Sequence, residues 1–383
     1  MADSLEPLFQ PFALRDLRLR NRFVMSPMTR ERSPAGVPGL DVAEYYRRRA
    51  QGNVGLIITE ATGVDHPASL GSTGADERDI PVLHGEAALA GWRRVVDGVH
   101  AAGGVIFPQL WHMGPMRVSG TGPHPEAQSC RPSGLWGPEG RTTQPRDYLA
   151  RVMPPTEPMT AQEIADVIAA YGRSAANAKA AGFDGVAVHG AHGYLIDAFL
   201  WHETNRRVDL YGGDIVCRTR FAAEVVRAIR RSVGPQFPIM FRFSQWKLQD
   251  YDAMLATTPQ ELQMILAPLV EAGVDIFDTS TRIFSRPAFS GSALTLAGWT
   301  RKLTGKPVMT VGGVGLTRDL LSSLTHGTGT VNNLQSVLEH FQRGEFDLVG
   351  SARSLLNDPY WVDKVRAGQP FKPFRPQAYS ELD

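Results

Sequence analysis

Residues 160–189 read TAQEIADVIAAYGRSAANAKAAGFDGVAVH and hold one complete helix-to-strand unit. Thr160 and Glu163 have capping-box spacing, in which a hydroxyl and a carboxylate satisfy backbone donors that the first helical turn leaves open. Ile164, Val167, Ile168 and Tyr171 fall on one helical face, and Gly182 supplies the stop. The β-branched run DGVAVH (184–189) follows as a buried strand. A second unit repeats this order. Thr258-Pro259-Gln260-Glu261 opens a helix with proline at its first position, Gly273 closes it, and VDIFDT (274–279) is the strand it delivers.

Working outward, comparable apolar runs occur at 22–26, 54–59, 104–109, 238–243, 307–311 and 346–350. With the two strands above they make eight, separated by helical patterns. Such alternation predicts an α/β fold, a single (β/α)8 TIM barrel spanning residues 1–383. One gap is unusual. Residues 112–153 are crowded with Gly, Pro, Ser and Thr and have no clear period, so a long excursion after the third strand is expected, a lid near the site. A smaller excursion is expected at 281–300, and a C-terminal tail at about 368–383.

Composition narrows the function. Forty basic residues against 39 acidic ones, with no dense basic block, argue against nucleic acid or an anionic membrane surface as partner. No apolar run approaches the roughly 20 residues that span a bilayer, and the proline-broken, acidic MADSLEPLFQPF does not read as a signal peptide. Two cysteines, Cys130 and Cys217, suit a reduced chain and exclude a four-cysteine metal or iron–sulfur site built from this chain alone. The expectation is a soluble, cytoplasmic protein acting on a small molecule.

In parallel barrels, function collects where the strands end. Just past the strands stand Pro27, Met28 and Thr29; Glu60 and Ala61; Gln109 and Trp111; His189, His192 and Tyr194; then Arg242, Thr279, Gly312, Gly313 and Arg353. Recurrence of polar groups around one rim predicts a pocket. VGGVG after the seventh strand and GSAR after the eighth occupy the usual phosphate position of this architecture, although the glycines lack dinucleotide-fingerprint spacing. His189 and His192 alone admit a metal pair, core histidines or a polarising pair. The helical zinc signature H-E-x-x-H is absent, as is a G-x-S-x-G nucleophile elbow.

NRFVMSPMTR, GLIITEATG, QLWHMG, HGAHGYLIDAFL, TNRRVDLYGGD and VGSARSLLNDPYW, in that order from about residue 6 to about 367, resemble the Old Yellow Enzyme family. The resemblance implies non-covalent FMN, NADH or NADPH as reductant, and reduction of an activated C=C in α,β-unsaturated carbonyl or nitro compounds. It places Pro27, Met28, Thr29 and Ala61 against the flavin ring, Gln109 on its pyrimidine edge and Arg242 beside N1 and the C2 carbonyl. Gly312, Gly313, Ala352 and Arg353 take the phosphate positions. His189 and His192 become donors to the substrate oxygen, Tyr194 the proton donor to the α-carbon, and Trp111 a pocket wall. Hydride from flavin N5 and a proton from the opposite face imply net trans addition. An amide pairing with a ring edge, a cation facing a reduced flavin and a phenol that keeps its proton at neutral pH are chemically apt for these roles.

Departures qualify the transfer. WHET (201–204) replaces a more familiar turn, Thr29 stands where one branch carries cysteine, and Cys217 stands where asparagine is frequent. Arg207, Asp209, Tyr211 and Gly212-Gly213 read as a structural fastening. Trp246, Tyr251, Arg282 and Phe284 are within reach of the pocket without an assigned role. Alternatives are a metal-dependent barrel hydrolase using His189 and His192, a non-catalytic flavin-binding protein, and iron–sulfur relatives, which two cysteines disfavour. A homo-oligomer stays open, with FKPFRPQAYSELD the segment offered toward a neighbouring subunit.

Overall fold

A computed structural model describes residues 4–72 and 79–382. The eight expected strands all form: β3 (Phe23–Met25), β4 (Leu56–Gly63), β5 (Ile106–Trp111), β6 (Val186–His189), β7 (Ile239–Phe243), β8 (Ile276–Ser280), β9 (Val308–Val311) and β10 (Leu348–Ser351). They are parallel and close in chain order, with β10 returning to pair with β3. Helices between the strands cover the barrel, so most strand residues are buried on both faces and read as continuous apolar runs.

The two diagnostic helices form at Ala161–Ala180 and Pro259–Ala272. The first has the full reciprocal capping box. In the second, Thr258 caps Glu261 N–H, but the Glu261 carboxylate turns to Thr257 N–H at 2.7 Å rather than to Thr258. Proline at the first helical position and Gly273 in the left-handed region (φ 112°) bound that helix as expected.

Inside the barrel, Val24, Leu56, Ile58, Phe107, Ala187, Met240, Ile276, Met309 and Leu348 form one buried cluster. A hairpin that periodicity did not reveal, β1 (Phe12–Leu14) with β2 (Leu17–Leu19), adds Phe12, Leu17 and Leu19 to that cluster. Its strands of three residues are too short for a period-2 signal. Arg15 in its turn bonds Asp275 (2.6 Å) and Pro235 O (2.5 Å), so the hairpin plugs the end where the strands begin.

The excursion at 112–153 differs from the expected lid. It contains a short helix, Arg146–Val152, and packs its own apolar cluster of Met116, Val118, Trp136, Tyr148, Leu149 and Val152 against Tyr194 and Leu248. Among the described residues, none between 112 and 153 lines the cavity at the strand ends. Burial of that cluster keeps the segment beside the site as a buttress. The C-terminal tail, through residue 382, folds back onto its own barrel: Arg30 donates to the carbonyls of Ala378, Tyr379 and Glu381, and Asn357 donates to those of Lys372 and Pro373.

Candidate active site

Along each barrel strand the inward side chain recurs every second residue. One step beyond the apolar layer therefore brings Phe107 to Gln109, Ala187 to His189, Met240 to Arg242 and Ile276 to Asp278. On β4 the pairing register shifts between Ile58 and Ala61, so Ala61, not Glu60, lies opposite Gln109 and faces the cavity. That cavity, of about 390 Å³, lies at the strand ends. Of the residues singled out there, Pro27, Met28, Thr29, Ala61, Gln109, Trp111, His189, His192, Tyr194, Arg242, Gly312, Gly313, Ala352 and Arg353 line it. Glu60 and Thr279 do not: Glu60 turns to the Arg30 and Glu31 N–H groups, and Thr279 donates to Met309 O.

His189 ends β6 and is almost fully buried. Its Nδ1 accepts the Ala191 N–H at 3.3 Å, which leaves Nε2 to carry the ring proton. Burial, reinforced by the Arg242 charge, pushes its pKa down to about 3, so the ring is a neutral donor at working pH. His192 sits in the left-handed region (φ 65°), an uncommon conformation for a residue with a side chain. Its N–H bonds Ser244 Oγ (3.1 Å), and its carbonyl accepts from Leu248 N–H (3.2 Å). The His192 ring stacks on Trp246 at 4.3 Å, and its Nε2 lies 2.9 Å from Ser280 Oγ. Burial and the neighbouring His189 lower its pKa well below the ordinary value. The two imidazoles meet edge-to-face at 5.1 Å, and Tyr194 stands edge-on to both His189 (5.0 Å) and Trp111 (4.9 Å).

A fully buried ion pair supports this turn. Lys247 Nζ bonds Asp197 Oδ1 at 2.7 Å, while Asp197 Oδ2 accepts Gly193 N–H at 2.6 Å. The backbone unit between His192 and Tyr194 is therefore fixed by a carboxylate that has its own counter-ion.

Arg242 pairs through Nη1 with Asp278 Oδ2 at 2.9 Å and through Nη2 with Ser280 Oγ at 3.1 Å. Burial pushes the Asp278 carboxyl up to about 6, against the pull of Arg242. Two buried donors, Arg242 Nε and Gln109 Nε2, have no hydrogen-bond partner among the described residues. Such orphans are costly unless something polar meets them. At the β9 end, a Cβ on Gly312 (φ 139°) would lie 2.5 Å from Thr281 O, so only glycine lets the chain pass. Arg353 lines this corner, with its Nη atoms already tied to Ser323 Oγ (2.7 Å) and Arg318 O (2.9 Å). A planar heteroaromatic with hydrogen-bonding edges and a phosphate tail fits these features. Gln109 and Arg242 would face the edge, and the Gly312-Gly313 and Ala352-Arg353 corner the phosphate.

Other residues of the cavity carried no assignment from sequence. Trp246, Tyr251 and Arg282 line it as a ladder: Tyr251 stacks on Trp246 at 5.5 Å, and Arg282 lies 5.9 Å over Tyr251. Ser280, Leu316 and the tail residue Tyr379 also line it. Phe284 does not; it is buried against His340. Arg207 bonds Asp209 and the carbonyls of Pro132 and Met159, which is a loop fastening. Among the described residues, the metal-sized ligand cluster is His66, His112 and Cys130, outside the cavity. Its imidazoles are engaged by backbone donors, Ala68 N–H on His66 Nδ1 and Gly114 N–H on His112 Nδ1.

Fold and site together define a parallel-barrel protein with a cofactor-sized cavity at its strand ends. A family model described as NADH:flavin oxidoreductase / NADH oxidase matches residues 7–372. The chain belongs to that family, the Old Yellow Enzyme group of FMN-dependent oxidoreductases with an NADH-type reductant. It is 33% identical over 373 residues to an NADH oxidase of Thermoanaerobacter brockii, covering 94% of this chain but 51% of that protein. It is 34% identical to the putative 12-oxophytodienoate reductase-like protein 1 of Arabidopsis thaliana, covering 77% and 90% of the two chains. The chain thus spans about half the length of the NADH oxidase it matches. Among solved structures, the Old Yellow Enzyme homologue from Zymomonas mobilis superposes with a TM-score of 0.78 at 25% identity, over 98% and 99% of the chains. Morphinone reductase in complex with tetrahydroNAD gives 0.78 at 28% identity, over 97% and 93%. Among the described residues, no helix is long and apolar enough to cross a membrane.

Proposed function

We propose that this chain is an NAD(P)H-dependent ene-reductase that saturates the activated C=C of α,β-unsaturated carbonyl or nitro compounds. The carrying observation is the grouping of a neutral His189 donor, His192 and Tyr194 in one cavity that also presents unpaired Gln109 and Arg242 donors. When bound non-covalently, FMN would supply the hydride chemistry, taking electrons from NADH or NADPH and passing them to the β-carbon.

The chain's own residues handle the oxygen and the proton. His189 Nε2–H donates to the carbonyl or nitro oxygen, where enolate-like charge develops. Because the ring is already neutral, it donates this hydrogen bond without carrying a charge of its own in the buried site. His192 adds a second donor when its ring proton is on Nδ1 and Ser280 donates to Nε2. Tyr194 gives its phenolic proton to the α-carbon and is reprotonated from solvent, so hydride and proton sum to H₂ across the double bond. Arg242 supplies a positive charge that favours an electron-rich ring at this place. Relatives named for 12-oxophytodienoate and morphinone support a reductase reading, and the near-neutral charge supports a small-molecule partner rather than nucleic acid or membrane, with action in the cytoplasm.

The test is optical. Purified protein should be yellow, bleach anaerobically with NADH or NADPH, and recolour on addition of 2-cyclohexenone. A colourless preparation containing zinc would instead favour a hydrolase. Bleaching without recolouring by any enone, maleimide or nitroalkene would leave a flavin carrier. His189→Ala should weaken binding of phenol to the oxidised protein by roughly 10-fold or more, the value of one charge-assisted hydrogen bond.

A further inference from the structure

Two hydrogen bonds meet on the Ser280 hydroxyl, one from Arg242 and one shared with His192. Asp278 and Ser280 stand two residues apart on β8, so both side chains point inward, and Arg242 on the neighbouring strand reaches both. Ser280 is buried, and its Oγ lies 3.1 Å from Arg242 Nη2 and 2.9 Å from His192 Nε2. Among the described residues, Oγ has no other hydrogen-bond partner. A guanidinium can only donate, so Ser280 Oγ accepts from Arg242. If His192 Nε2 also donated, the Ser280 hydrogen would be buried with no acceptor, a cost that native structures avoid. The arrangement left has Ser280 donating to His192 Nε2, which puts the ring proton on Nδ1. His189 is the reverse: its Nδ1 accepts the Ala191 N–H, and its proton sits on Nε2. Burial, with His189, Arg242 and Lys247 nearby, disfavours a second proton on His192. Trp246 completes the mount, since its ring stacks on His192 while its Nε1 donates to Ser280 O at 3.2 Å.

We propose that Ser280 is a positioning residue that fixes His192 as the Nδ1–H tautomer and carries the influence of the Arg242 charge to the ligand oxygen. The proposal rests on the ene-reductase reading for the identity of that ligand. Hydrogen bonds in series polarise one another. Donation by Arg242 therefore makes the Ser280 hydroxyl a better donor, and the His192 Nδ1–H a better donor in turn. The arginine at the flavin edge thereby also strengthens the clamp on the substrate oxygen. Both imidazoles are locked as donors, from opposite ring atoms, so the site selects a ligand oxygen that accepts twice, as a carbonyl or nitro oxygen does.

Tautomer and ligand are read separately. Long-range nitrogen–proton NMR spectra of the histidine-labelled, oxidised holoprotein should show His192 protonated at Nδ1 and unprotonated at Nε2, with its signals assigned by their loss in His192→Asn. Ser280→Ala should let the Nε2–H form appear. It should also weaken phenol binding, read from the flavin spectrum, by roughly 10-fold, the worth of one hydrogen bond. Ser280→Thr keeps the hydroxyl and should bring the affinity back to within about 3-fold of wild type. A wild-type His192 protonated at Nε2 overturns the proposal, and this readout needs no variant of Ser280 to fold. Phenol affinity in Ser280→Ala within about 2-fold of wild type overturns it as well. So does equal weakening in Ser280→Ala and Ser280→Thr, which would make packing rather than the hydroxyl the cause. Absence of enone turnover in the wild type would instead count against the ene-reductase reading, and the tautomer and phenol readouts would still decide the role of Ser280.

Discussion

Arg242 and Asp278 face each other in direct register on β7 and β8, joined by a 2.9 Å hydrogen bond and almost wholly buried. The carboxylate partly offsets the guanidinium charge that the cavity receives. Asp278→Asn keeps an acceptor for Arg242 and removes the negative charge. The bound flavin should then be easier to reduce, with a midpoint potential higher by roughly 30 mV, equivalent to about 1.4 kcal/mol for a two-electron couple. Spectroelectrochemistry of the two holoproteins measures this, and an equal or lower potential contradicts the role given to the pair.

Glu60 gives a pH dependence of stability. Its buried carboxylate accepts N–H bonds from Arg30 and Glu31 through Oε2, and burial raises its pKa from 4.5 to about 7. A raised carboxyl pKa means that the folded state holds a proton the unfolded chain has lost. Stability from this group therefore falls as pH rises from about 4.5 to about 7, by about 3 kcal/mol at most. Glu60→Gln retains an acceptor and cannot titrate, so its denaturation midpoint should lose that slope. Urea melts between pH 5 and pH 8 compare them; parallel curves would refute the assignment.

Tyr194→Phe separates the two half-reactions. Bleaching by NAD(P)H should stay within a few-fold of wild type, while reoxidation by an enone slows roughly 10²–10⁴-fold, the usual contribution of a positioned acid. Anaerobic stopped-flow spectroscopy records both phases. Equal slowing of both would mean that the ring acts by packing against Trp111 and His189.

Lys247→Met leaves Asp197 as an uncompensated buried charge beneath the Gly193 N–H. Breaking such a pair costs about 3–5 kcal/mol. Thermal melts should show this loss. Lys247→Met combined with Asp197→Leu should recover part of it, because the charge is removed while the Gly193 donor still lacks its acceptor. No recovery in the double variant would argue against the ion pair as the source.

The sequence by itself determined the barrel. Eight apolar runs, two capped helices and the Gly182 and Gly273 stops express local rules of period, capping and backbone freedom that do not depend on distant partners. It also marked the cavity residues on β5, β6 and β7, because an inward side chain at a strand end follows from period 2. Only tertiary structure decided the rest. The three-residue strands β1 and β2 carry too little pattern to be seen until their side chains meet the barrel interior. The excursion at 112–153 looked like a lid because loop composition does not say which surface a loop covers; its apolar cluster sets it beside Tyr194. Register between strands paired Arg242 with Asp278, and a shift in register turned Ala61 rather than Glu60 toward the cavity. Chain closure over almost 350 residues brought Tyr379 beside Arg30, a contact that no local spacing encodes.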